Sequence, residues 1–77
     1  MHELNYNQAA KDFAFGQAYR GFDFTSNLEQ LANHANRMSQ IFNISEEDIY
    51  DKLVIEVRIL YKQNYDPMSE IKEFFIH

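Results

Sequence analysis

The chain contains no cysteine and no tryptophan, and only one proline and two glycines in 77 residues. Without cysteine there is neither a disulfide nor a thiolate zinc site to hold a small domain together. One proline and two glycines are too few for the frequent tight turns of a β-sandwich or small barrel. No apolar run approaches the ~18 residues that a membrane-spanning helix needs. The opening residues Met1, His2, Glu3, Leu4 and Asn5 lack the basic and apolar regions of a signal peptide. A cytoplasmic location, in a cell or an infected host, is therefore expected. Internal repeats and low-complexity tracts are also missing, as are a glycine-rich phosphate loop, a nucleophile elbow and an HExxH pair.

What is present is apolar and aromatic. Hydrophobic residues make up 45% of the chain, too many for a disordered protein even at a net charge of −5. A length of 77 residues allows one domain, spanning 1–77. Folding it should bury roughly 8,000 Å², worth about 120 kcal/mol if three-fifths is apolar. Ordering the chain costs about 115 kcal/mol. The margin is thin, so efficient helix packing or a partner subunit has to supply stability.

The expected fold is all-α, a compact bundle of three to four helices at about 6–20, 27–42, 46–64 and 67–75. The third helix is marked most clearly at its start. Ser45 stands at the N-cap position, Ile44 and Ile49 form a hydrophobic staple, and Glu46, Glu47 and Asp48 complement the helix dipole. Ile49, Leu53, Val57 and Leu60 then recur at helical spacing, widened by Tyr50, Val54 and Tyr61. In the second helix Ser26 and Glu29 read as a capping box, and Leu28, Leu31, Ala32, Ala35, Met38 and Phe42 line one face. Asn43 suits a left-handed cap, which makes the second and third helices a closely connected hairpin. The fourth helix would be capped by Asp66, with Pro67 at its first position and Met68, Ile71, Phe74 and Phe75 facing one way. Two readings compete at the first segment. Asn5 or Asn7 caps a helix that carries Tyr6, Ala10, Phe13 and Ala14 and ends near Gly21. Alternatively, Phe13, Phe15, Phe22 and Phe24 alternate around two glycines as a small β-hairpin at 13–24.

No catalytic, metal or cofactor site is expected. His34 is flanked at helical spacing by Gln30 and Met38, neither of which is a carboxylate or a nucleophile, and it reads as a structural histidine. His2 and His77 are terminal. The expected function is that of a small non-catalytic protein-binding module. One concrete form is a phage-type inhibitor or adaptor that occludes a host defence or host machinery protein. Its expected contact residues are the aromatic group Phe15, Tyr19, Phe22 and Phe24 around Arg20, as interface anchors. The acidic group Glu46, Glu47, Asp48 and Asp51 would meet a basic rim. Both groups also have structural readings, as a core lid and as dipole complementarity.

A second anomaly lies on the third helix. Ile55 and Ile59 project opposite its main stripe, so either the helix is covered on both sides or the two isoleucines form a homodimer face. A homo-oligomeric structural or regulatory protein is thus one alternative, and an acidic mimic of nucleic acid another. Direct nucleic-acid binding is disfavoured. Lys11, Arg20, Arg37, Lys52, Arg58, Lys62 and Lys72 are scattered along the chain, and the net sign repels phosphate. The helix that a helix-turn-helix would insert into the groove begins with three acids.

Overall fold

The computed structural model describes residues 3–24 and 28–69. Within them the chain forms three α-helices and no strand: α1 (Tyr6–Tyr19), α2 (Leu28–Phe42) and α3 (Glu46–Lys62). The helix reading of the first segment holds and the hairpin at 13–24 does not form. Ala9, Ala10, Phe13, Ala14 and Gln17 are buried along α1 at helical spacing, a face that alternation would have split between core and solvent. The alternating aromatics are instead divided between the helix and the chain that follows it.

Helix ends show how a few polar residues set the boundaries. At the start of α1 the Asn5 side chain accepts a hydrogen bond from the Gln8 amide at 3.0 Å, which makes Asn5 the cap rather than Asn7. At its end the Phe22 amide donates to Gln17 O at 2.8 Å and the Gly21 amide to Ala18 O at 3.0 Å. With Gly21 at φ 83°, this is a Schellman stop, a conformation that favours glycine. The same motif closes α3. Tyr65 N donates to Leu60 O at 3.0 Å and Asn64 N to Tyr61 O at 3.1 Å, with Asn64 at φ 53°. Asn64 therefore ends α3 two residues before the expected boundary at 64. Asn43 takes the expected left-handed conformation, at φ 55°.

Ser45 departs from expectation. It precedes α3, but its hydroxyl makes no capping hydrogen bond. The acids Glu46, Glu47 and Asp48 in the first turn supply charge that complements the helix dipole. The Ser26 cap of the second helix lies outside the described residues. So does the fourth helix beyond Ser69, although its expected start is visible: Asp66 Oδ1 accepts from the Met68 amide at 3.0 Å.

The core is built on α3. Ile49, Leu53 and Leu60 are fully buried and Val57 nearly so, against Ala9, Ala10 and Phe13 from α1 and Leu31 and Ala35 from α2. Small alanines let both helices approach α3 closely. Ile44 and Tyr65 pack on the same cluster from either end of α3, and Ile44 with Ile49 completes the staple. Helix α1 packs on α3, with Lys52 Nζ 5.0 Å from the Tyr6 ring centre, and Lys11 Nζ lies 5.7 Å from that of Tyr65 just beyond α3. Helix α2 runs antiparallel to α3. The start of α2 at Leu28 shares a groove with Val54, Val57, Arg58 and Tyr61, and Asn36 farther on donates to Glu46 at 3.2 Å.

Two stability outcomes follow from this arrangement. Leu53→Ala leaves a cavity in the central stripe and should cost about 2–5 kcal/mol, enough to leave the variant largely unfolded by circular dichroism. A cooperative melt close to wild type would contradict the assigned core. The caps should differ from each other: Asn5→Ala should lose about 1 kcal/mol, whereas Ser45→Ala should leave the midpoint nearly unchanged.

Candidate protein-interaction surface

The aromatic group gathers at the C-terminal end of α1 and in the turn beyond it. Tyr19 is 76% exposed and Phe22 56% exposed. Phe15 is half-buried, and its ring centre lies 6.2 Å from that of Tyr19 with the planes tilted by 35°. Arg20 caps the helix and is exposed. Phe24 differs from the others: it is half-buried and packs against the core. The structure thus sorts the five residues into an exposed trio of Tyr19, Arg20 and Phe22, a supporting ring at Phe15, and a core-facing Phe24. The Schellman turn fixes this arrangement. The left-handed Gly21 reverses the chain, and the hydrogen bond from the Phe22 amide back to Gln17 holds Phe22 beside the last turn of α1.

The acidic group is exposed at all four positions, Glu46, Glu47, Asp48 and Asp51. They lie in the first turns of α3, whereas the aromatic group lies at the C-terminal end of α1 and in the turn beyond it. Glu46 is additionally engaged by Asn36 across the α2–α3 connection, which gives it a structural role.

Ile55 and Ile59 remain 55% and 40% exposed on α3. Among the described residues, neither α1 nor α2 covers them. A shallow groove of about 200 Å³ opens on another side of the same helix, lined by Leu28, Val54, Val57, Arg58 and Tyr61. Tyr61 and Leu28 are exposed there, although the sequence pattern places both on buried stripes. The reason is geometric: Leu28 begins α2 and Tyr61 lies near the end of α3, where each helix has neighbours on one side only.

His34 sits between α2 and α1, its ring 5.7 Å from that of Phe13. It is half-buried, and its Nε2 is shielded from solvent without a hydrogen-bond partner. Burial, reinforced by the positive charge of Arg37, holds its pKa below the ordinary value of 6.5. The Ala9 backbone and Asp12 oppose that shift. This is a neutral packing histidine. Among the described residues no group of three or more His, Asp or Glu side chains is placed to hold a metal ion, and no helix is long and apolar enough to cross a membrane. No protein-family model, curated protein or solved structure matches the chain.

The lowered His34 pKa has a stability consequence of definite sign. Between the folded pKa and 6.5 the unfolded chain binds more protons, so stability rises with pH through that window. Full stability is present above about pH 7 and declines as acid protonates a ring that the fold prefers neutral. The thermal midpoint should therefore fall between about pH 7 and pH 5, and His34→Gln should flatten this dependence. An identical slope in the variant would contradict the assignment.

Proposed function

We propose that the protein is a small non-catalytic binding module that docks on another protein through the aromatic end of α1. The observation that carries this reading is the pair of large aromatic side chains, Tyr19 and Phe22, held out to solvent beside Arg20 by an ordered turn. Tyr, Phe and Arg are enriched at interface centres because they offer much contact area and strong directional bonding for little lost rotamer freedom. A rigid turn lowers the ordering cost of binding further. Phe15 supports Tyr19 from within α1, so the exposed surface is backed by a packed one.

Occlusion of a host protein by a phage-type inhibitor is one form such docking takes, and its anchor would be this end alone. A nucleic-acid mimic finds less support. The acidic run ends at Asp51, and Lys52, Arg58 and Lys62 interrupt its charge along the same helix.

The test uses affinity capture followed by mass spectrometry with three forms of the protein. Tyr19→Ala/Phe22→Ala alters only exposed side chains and should stay folded while losing a specific partner by at least about tenfold, the loss of about 1–2 kcal/mol that two interface anchors imply. Glu47→Gln, in the first turn of α3, should retain it. A partner held equally by all three forms would overturn the assignment of the aromatic end.

A further inference from the structure

The outer face of α3 carries an ordered pattern of charge. Asp48, Ile55 and Lys62 are seven residues apart and lie on one line along the helix. Asp51 and Arg58, also seven apart, flank that line on the side toward α2. Lys52 and Ile59 flank it on the side toward α1. All seven residues are exposed. Along its central line and its α2 flank the face is therefore acidic before Ile55 and basic after it, while the α1 flank carries Lys52 and Ile59.

We infer that this face binds a second copy of the chain, with the two α3 helices antiparallel about a two-fold axis through Ile55. A two-fold contact is self-complementary by necessity, since each residue meets the partner residue at the mirrored height. With Ile55 on the axis, Asp48 of each chain falls opposite Lys62 of the other. Asp51 falls beside the other chain's Arg58, because flanking residues stay on the same side of an antiparallel pair. This gives four opposite-charge pairings around a central pair of isoleucines. On the remaining flank, the alkyl stem of Lys52 lies against Ile59 of the other copy and shields it from water. Lys52 Nζ is already held over the Tyr6 ring, so its stem is partly oriented for this role. A parallel pairing would set Asp48 against Asp48 and Lys62 against Lys62, and charge excludes it.

The 17 residues of α3 give a contact about 25 Å long. A single helix pair of this length belongs with the small, weaker interfaces, so dimerisation in the micromolar range is expected. The face shares no residue with the Tyr19 and Phe22 group, so separate variants test the two contacts.

Sedimentation equilibrium on the whole chain, with circular dichroism as a control, tests the inference. Wild type should be dimeric at high concentration, and Ile55→Lys should be folded and monomeric. Asp48→Lys and Lys62→Glu should each weaken the dimer about tenfold, since each turns two attractions into repulsions. The two changes combined in one chain should restore it, because the pairs are then reversed rather than broken. A monomeric wild type overturns the proposal. So does a dimer indifferent to Ile55→Lys, or one in which neither single charge change weakens association.

Discussion

The fold depends on one stripe of one helix. Ile49, Leu53, Val57 and Leu60 face both other helices at once, and the remaining packing is arranged around them. α1 contributes mainly alanine and a single buried phenylalanine to that stripe; α2 contributes Leu31 and Ala35. Small residues on the outer helices face large ones on the central helix. Among the described residues the core of this cysteine-free chain consists of ten buried hydrophobic residues. It also makes α3 the element on which stability and surface chemistry meet.

Most of the architecture was legible in the residues because helix boundaries here are set by local polar chemistry. Asn5, Asn43 and Gly21 each stand where a cap or a left-handed turn is needed, and each takes that conformation. Asn64 carries the same signal as Asn43, and reading it that way would have placed the end of α3 correctly. Ser45 shows the opposite failure. Its residue type and position fit a cap, but a hydroxyl caps only when its backbone and rotamer aim it at the following amides, and sequence does not encode that choice. The aromatic alternation in the first segment offered a hairpin that does not form. A period of two among Phe13, Phe15, Phe22 and Phe24 is outweighed by the 3.6-residue period of Ala9, Ala10, Phe13, Ala14 and Gln17.

The interaction residues were harder to read, since residue type identifies candidates but not their neighbours. Tyr19, Arg20 and Phe22 do come together, whereas Phe24, of the same type and nearby in sequence, packs on the core. The acidic cluster was visible as a run of four acids, but residue identity does not reveal that Asn36 of α2 engages Glu46. Arg58 and Lys62 looked scattered in the linear chain. On the helix they share a face with Asp48 and Asp51, and the seven-residue spacing that reveals this was available in the sequence.

Two periodicities coexist on α3, and they separate folding from association. The inner stripe advances by four, four and three residues and keeps to the side covered by α1 and α2. The outer line advances by seven and drifts slowly around the opposite side. The two sets share no residue, so a side chain on the outer line can change charge without opening a cavity in the core. Among the described residues Ile55 and Ile59 remain largely exposed on α3. Isoleucine exposed on a helix between residues of opposite charge has little to offer a monomer in water, since the transfer of its surface into an apolar contact is left unused. That free energy is recovered when the face is covered. In the antiparallel pairing proposed above the charge order favours one cover: a uniformly charged partner would leave one half of the face unmatched and a neutral one both, whereas the same helix reversed matches both.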